Sequence, residues 1–151
     1  MRYPKSIRRP ADHYADRELC FHLTIRAHPK LGAWPGGAGE VIWAAVMEQR
    51  SASRVELFAA CLMPDHMHLI ASPREQDLLR FLDAWKGWTT RLAWKSGNGH
   101  GLWQPGMWDR TIEDEEDLVR TAAYVVRNPV TAGLVEDERE WPWSWVWWWD
   151  E

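Results

Sequence analysis

Two strand-like segments that follow each other in the middle of the chain limit the folds open to this sequence. Val55–Met63 (VELFAACLM) is almost wholly apolar, as is typical of a strand in the centre of a sheet. Pro64 and Asp65 then favour a turn, and His66–Ser72 (HMHLIAS) follows as the antiparallel partner. The chain is therefore expected to build its core on an antiparallel hairpin.

The remaining segments predict one α+β domain that covers residues 1–151. Further strands are expected at Cys20–Ala27 and Trp103–Ile112, and helices at Glu40–Gln49, Glu75–Lys95 and Asp114–Arg127. Pro129 is expected to end the last helix, because the residue before a proline avoids the α conformation. The order β-α-β-β-α-β-α predicts an antiparallel sheet with its helices packed on one face.

Charge is distributed unevenly along the chain. The net charge is −4, but residues 1–112 carry 15 Lys and Arg against 11 Asp and Glu, whereas residues 113–151 carry 3 against 11. The acidic total weakens the case for tight nonspecific binding of nucleic acid, although local charge at a groove matters more. No run of 18 apolar residues exists, and the basic N-terminus lacks the apolar stretch of a secretory signal. We therefore expect a cytoplasmic protein without a membrane span.

Two histidines on the second strand of the hairpin are candidate metal ligands. His66 and His68 are two residues apart, so both side chains point to the same face of the strand. Met67, Leu69 and Ala71 point to the opposite face, toward the core. Two adjacent imidazoles have the spacing to share a divalent metal, but the pattern alone is weak, because most such pairs are surface or hydrogen-bonded histidines.

A tyrosine on the last helix has an unusual set of neighbours. The apolar stripe of this helix excludes Tyr124, whose neighbours one turn away are Arg120, Thr121, Arg127 and Asn128. A tyrosine at a helix edge is ordinarily only amphipathic. Between two guanidinium groups, however, it suits phosphate chemistry, because arginine binds phosphate oxygens bidentately and favours the phenolate.

Taken together, these motifs resemble a known family of DNA-processing enzymes. MPDHMHLIASP resembles the HUH signature (His, bulky apolar residue, His) of the single-tyrosine transposases, and YVVRNPVTAGLV resembles their nucleophile helix. The segments FHLTIRAHP, WQPGMWDR followed by EDEEDL, and WPWSW are similar to the REP-associated tyrosine transposase branch. The resemblance runs from about Phe21 to Trp145 with its motifs in order, and the combination is specific.

The resemblance implies a fold, a chemistry and a set of site residues. The fold is a ferredoxin-like antiparallel sheet with the HUH motif on a central strand and the tyrosine helix laid across it. Tyr124 is the nucleophile, and Asn128 joins His66 and His68 as a ligand of Mg²⁺ or Mn²⁺. The reaction is cleavage and rejoining of single-stranded DNA through a 5′-phosphotyrosine. Imidazole is a softer ligand than Mg²⁺ prefers, so Mn²⁺ is expected to bind better.

Five basic residues are candidates for DNA contact, namely Arg26, Lys86, Arg91, Arg120 and Arg127. The expected partner is single-stranded or hairpin DNA, and the branch suggests a monomer while leaving a homodimer open. Two alternatives stay open as well. One is a domesticated protein that binds DNA hairpins without cutting, which the acidic balance favours, and the other is a metal-dependent hydrolase that activates water at the His-x-His pair.

The C-terminal tail, from about residue 141, is rich in tryptophan. Six tryptophans lie within residues 141–149, out of 13 in the whole chain. Indole rings could stack on unpaired bases without positive charge. For Trp141, Trp143 and Trp145 a structural role is favoured, because so much indole surface left in water would promote aggregation. For Trp147, Trp148 and Trp149, stacking on DNA bases and packing against the protein are equally favoured.

Overall fold

The computed structural model describes residues 11–29, 34, 37–52, 54–95 and 101–151. Its strands are β1 (Phe21–Arg26), β2 (Val55–Leu62), β3 (His66–Pro73), β4 (Trp108–Thr111) and β5 (Ser144–Val146). Its helices are α1 (Ala38–Ser51), α2 (Leu78–Lys95) and α3 (Glu115–Thr131), and short 3₁₀ turns lie at Ala11–Ala15, Glu138–Glu140 and Trp147–Asp150. Within the described ranges, no helix is long and apolar enough to cross a membrane.

The sheet confirms the expected hairpin and the antiparallel α+β architecture. Its strand order is β4-β1-β3-β2-β5, and every neighbouring pair is antiparallel. The first four strands have the ferredoxin-like order, and β5 extends the sheet beyond β2. The HUH strand, β3, therefore lies in the centre, bonded on one side to β1 and on the other to β2. Most of the strand expected at Trp103–Ile112 is irregular, and only Trp108–Thr111 forms β4.

The helices occupy both faces of the sheet, which corrects the expectation that they share one. Helices α1 and α2 cover the face that carries Leu23, Met67 and Leu69. Helix α3 covers the opposite face, where its buried Val125 and Val126 pack with residues of β2, β3 and β5. The apolar stripe of a helix shows that it docks against something, but not against which face, so the sequence pattern could not decide this point.

Helix α3 also runs past Pro129, contrary to expectation. Pro129 lies within the helix, and Gly133, at φ 75°, ends it. The Leu134 amide donates to the Pro129 carbonyl and the Gly133 amide to the Val130 carbonyl, both at 2.9 Å, which is the Schellman arrangement. A proline so near the end of a helix removes only one internal hydrogen bond, so the stronger stop signal is the glycine.

The tryptophan-rich tail packs on the body of the domain. Trp143 lies over Gly39 of α1, and the Trp141 indole donates to the Leu62 carbonyl at 2.9 Å. Trp147 meets Phe58 edge-on, and Trp148 and Trp149 pack against the same cluster as α3. All six tryptophans are intermediate in exposure, so none of the rings stands free in solvent. This favours the structural interpretation of the tail.

Candidate functional site

The candidate site lies between β3 and α3. Strand alternation turns Met67 and Leu69 into the core beneath α1 and α2, and turns His66 and His68 toward the face that α3 covers. Helix α3 lies across this face and brings Asn128 to the histidines. Two elements of different sequence regions thus supply the predicted ligand set.

The three predicted ligands converge on one point. His66 Nε2 lies 3.1 Å from His68 Nε2, and the Asn128 side-chain amide lies 3.4 Å from the same His68 nitrogen. The oxygen and nitrogen of an asparagine amide exchange by a 180° rotation, so Asn128 can present its oxygen to the same point. The site therefore offers two imidazole nitrogens and one amide oxygen.

This donor set fits a divalent metal. Two bonds of about 2.1 Å that meet at a right angle place their donor atoms about 3.0 Å apart, close to the 3.1 Å between the two Nε2 atoms. The described residues contain no group of three or more His, Cys, Asp or Glu arranged for a metal. The candidate site differs from such groups because its third donor is an amide. The other coordination positions of a metal held there would be left for water or substrate.

Each imidazole has a partner for its other ring nitrogen. His66 Nδ1 lies 2.6 Å from the Asp65 carboxylate, and His68 Nδ1 lies 2.9 Å from His22 Nε2 and 3.2 Å from the Thr24 hydroxyl. Such outer partners fix the tautomer and the orientation of a metal-binding histidine. His22 and Thr24 lie on β1, which pairs directly with β3.

The buried histidines are neutral at physiological pH. Burial lowers the pKa of His68 to about 2, helped by the positive charges that His22 and His66 can carry. Burial, followed by the nearby Arg110 guanidinium, lowers the pKa of His22 to about 4. A neutral imidazole keeps the lone pair that a metal ligand needs, so both shifts favour metal binding over protonation.

Tyr124 stands at the open side of the same site. Its side chain is 55% exposed, although its helix neighbours Val125 and Val126 are fully buried. The phenol ring lies 5.8 Å from the His68 ring and 6.3 Å from the His22 ring, measured between centroids and approached edge-on. The tyrosine is therefore next to the predicted ligands and accessible from solvent.

An ion pair fastens the first half of α3 to the edge of the sheet. Arg110 of β4 donates to both Asp117 carboxylate oxygens, at 2.8 and 3.0 Å, and to the Thr121 hydroxyl at 2.7 Å. The Glu113 amide donates to Asp117 at 2.8 Å. Hydrogen bonds from Arg110, above all, hold the pKa of Asp117 far below its usual range. This pair sets the position of the helix that carries Tyr124.

The predicted DNA-contacting residues divide into two groups. Arg26 lies opposite His66 in the sheet, and Arg120 and Arg127 are exposed on α3 within one turn of Tyr124. Arg120 approaches Glu116 at 4.0 Å and Asp117 at 3.7 Å. These three arginines stay candidates for DNA contact beside the site.

The other two, Lys86 and Arg91, lie on α2, beyond the opposite face of the sheet. They line a cleft of about 530 Å³ between α2 and residues 101–106. The Lys86 ammonium donates to the carbonyls of Gln104, at 3.2 Å, and Gly106, at 2.5 Å. The structure therefore does not bring these two residues to the histidines, and it gives Lys86 a structural task.

The family described as "Transposase IS200 like" matches residues 17–128, which include His66, His68, Tyr124 and Asn128. The chain belongs to this family. The match covers both elements that carry the predicted ligands, and it confirms the resemblance found in the motifs.

Individual relatives of this IS200-like transposase chain agree with the family. A Haemophilus influenzae protein provisionally named REP-associated tyrosine transposase is 31% identical over 99 residues, covering 58% of this chain and 56% of the relative. The REP-associated tyrosine transposase of Escherichia coli K12 is 30% identical over 87 residues, covering 58% and 52%. The chain thus spans little more than half the length of these relatives.

A solved structure shows the same fold. The structure of a REP-associated tyrosine transposase bound to a REP hairpin superposes with a TM-score of 0.74 and 22% identity. The superposition covers 93% of this chain and 82% of that one. At this identity the likeness establishes the fold, including the five-stranded sheet with its three helices.

Several site residues were not singled out in the sequence. His22 and Thr24 lie within the strand expected at Cys20–Ala27, and Asp65 lies in the expected turn, but no local pattern marks them as site residues. Arg110 and Asp117 lie seven residues apart on different elements. Only the register between β1 and β3 and the docking of α3 reveal what these side chains contact.

Proposed function

We propose that this chain cuts and rejoins single-stranded DNA by transesterification at Tyr124. The observation that carries the proposal is the position of an accessible tyrosine beside two converging imidazoles and an amide, with phenol and His68 ring centroids 5.8 Å apart. A hydrolase that activates water at a His-x-His pair has no use for an exposed phenol at that point.

In the proposed step, the Tyr124 oxygen attacks the phosphorus of a DNA phosphodiester. The bond from phosphorus to the tyrosine oxygen forms as the bond to the 3′-oxygen breaks, the phenol loses its proton, and the leaving 3′-oxygen takes one up. The products are a 5′-phosphotyrosine and a free 3′-hydroxyl. Because the phosphodiester energy is kept, attack by a 3′-hydroxyl reverses the step and joins strands.

His66, His68 and Asn128 would hold the divalent metal, for which we propose Mg²⁺ or Mn²⁺. When bound, such an ion polarises the scissile phosphate and offsets the negative charge that develops on it. The protein's own contribution is orientation: Asp65 contacts the His66 ring, and α3 holds Tyr124 one turn from Asn128. We propose that Arg26, Arg120 and Arg127 bind the flanking phosphates.

For the substrate we propose hairpin DNA with a single-stranded flank, acted on by a monomer. The structural relative is bound to a REP hairpin, and two curated relatives carry the REP-associated name. The described residues of α3 and β3 already supply all the proposed ligands and the nucleophile in one chain. A second subunit is therefore not needed to complete the site.

The experiment that tests this function is covalent capture on labelled hairpin DNA with Mn²⁺ present. Native protein is expected to form a protein–DNA adduct, and Tyr124→Phe to form none while it folds and binds DNA normally. Tyr14→Phe is the matched control, because it removes the same atom from a buried tyrosine that donates to Asp109. An adduct that persists in Tyr124→Phe would exclude Tyr124 as the nucleophile.

One second candidate is favoured by a specific observation. The C-terminal 39 residues carry 11 acidic against 3 basic side chains, and five of the acids, residues 113–117, lie just before or within the first turn of α3. Such a charge opposes DNA backbone binding and fits a domesticated hairpin-binding protein that no longer cuts. Native protein that binds the hairpin but yields no adduct and no cleaved strand would support this candidate.

A further inference from the structure

The second nitrogen of His68 is contacted by another histidine, and this contact has a consequence for the ligand set. His22 is 5% exposed, and its Nε2 lies 2.9 Å from His68 Nδ1. The two residues lie on neighbouring strands, because β1 pairs with β3. Thr24 is directly opposite His68, and His22 is two residues before Thr24 on the same strand. A contact this short between two ring nitrogens requires that one donates a proton and the other accepts it.

Which of the two donates decides whether His68 can bind a metal. The Asp65 carboxylate only accepts hydrogen bonds, so it holds the proton of a neutral His66 at Nδ1 and leaves a lone pair on His66 Nε2. His68 Nε2, 3.1 Å away, either donates to that lone pair or carries a lone pair of its own. Only the second arrangement leaves both Nε2 atoms free for one metal ion.

We infer that His22 is a positioning residue, which accepts the His68 Nδ1–H and thereby holds the His68 Nε2 lone pair at the metal-binding point. Thr24 is the weaker second acceptor, at 3.2 Å from His68 Nδ1. The inference rests on the proposed metal site.

The tautomer itself can be measured in metal-free native protein. Long-range proton–nitrogen correlation spectra distinguish protonated from unprotonated ring nitrogens. We expect a protonated Nδ1 and an unprotonated Nε2 in His68, and an unprotonated Nε2 in His22. A His68 ring protonated at Nε2 would overturn the inference, and this test requires no variant to fold.

The consequence for affinity is measured by calorimetric titration with Mn²⁺. His22→Phe removes the acceptor and is expected to weaken Mn²⁺ binding by about ten- to a hundredfold, the usual effect of losing an outer partner of a ligand. His22→Gln, whose side-chain amide can accept at the same place, is expected to restore most of the affinity. Thr24→Val should have a smaller effect, and the exposed His13→Phe none.

The outcomes separate this inference from the proposed function. If native protein does not bind Mn²⁺, the metal site itself is wrong, whatever His22 does. If native protein binds Mn²⁺ and a folded His22→Phe protein binds it equally tightly, the site stands and His22 has no positioning role. Thermal melting of each variant reports whether it is folded. If His22→Phe does not fold, the His68 tautomer measured in native protein tests the inference instead.

Discussion

Replacing Asp117 with asparagine should loosen the helix that carries Tyr124. The Asp117 side chain is 5% exposed and accepts two hydrogen bonds from Arg110, one from the Glu113 amide and one, at 3.1 Å, from Thr121. Asparagine keeps the shape but replaces one acceptor oxygen with a donor and leaves the guanidinium without its counter-charge.

The expected loss of stability follows from this environment. Removing one partner of a buried ion pair costs about 3–5 kcal/mol. Because the Arg110 side chain is 38% exposed, water can solvate it, and we expect the lower end of that range, about 3 kcal/mol. At about 2–4 °C per kcal/mol for a chain of this size, Tm should fall by about 6–12 °C.

The assay is thermal melting by circular dichroism at pH 7, with Glu116→Gln as the control. Glu116 is the preceding residue on α3, but its side chain is 86% exposed and its ion pair with Arg120 is 4.0 Å long, so the control should change stability by less than about 1 kcal/mol. If Asp117→Asn melts at the same temperature as this control, the ion pair does not fasten α3.

The Arg110–Asp117 ion pair also predicts how the stability of the protein changes with pH. Hydrogen bonds from Arg110 lower the pKa of Asp117 in the folded protein, so its contribution to stability is fully present above the unfolded pKa, about 4. That contribution is lost as the pH falls through the lower, folded pKa. The difference in Tm between native protein and Asp117→Asn should therefore shrink in acid, and a constant difference would contradict the assignment.

Three further predictions concern packing outside the site. Gly39→Ala should lower stability by about 1–3 kcal/mol in denaturant unfolding, because its Cβ would lie 2.4 Å from a Trp143 ring atom; an unchanged midpoint would contradict this packing. Removal of residues 147–151 should lower Tm, whereas weaker binding of single-stranded DNA at unchanged Tm would restore the stacking interpretation. Lys86→Met should lower Tm without changing DNA affinity in a filter-binding assay, because its ammonium binds backbone carbonyls.

The local parts of the site could be predicted from sequence because they depend on short-range periodicity. His66 and His68 share a face since strands alternate, and Tyr124 lies beside Asn128 since helices repeat about every four residues. The hairpin turn at Pro64 was equally local. In these cases the chain neighbours alone determine the geometry.

The partners of these residues could not be predicted, because they depend on register and docking. His22 is 46 residues from His68, and shifting β1 by one residue would turn it to the other face of the sheet. The face on which α3 packs is a property of the whole sheet, and Arg110 meets Asp117 only after that docking. The end of α3 was misplaced because Gly133 outweighs Pro129 as a stop signal.

Mounting Tyr124 and Asn128 on one stiff helix has a mechanical consequence. Four residues of α-helix separate them by about 6 Å along the axis, so a rigid displacement of the helix moves both. Such a displacement, if it carried the phenol away from the His68 ring, would carry the Asn128 amide away from it as well. In the proposed reaction, a covalent DNA adduct at Tyr124 would pull on this helix, so tension in the attached strand would be transmitted to Asn128, a proposed metal ligand. Under that proposal, DNA attachment and metal binding would be mechanically coupled.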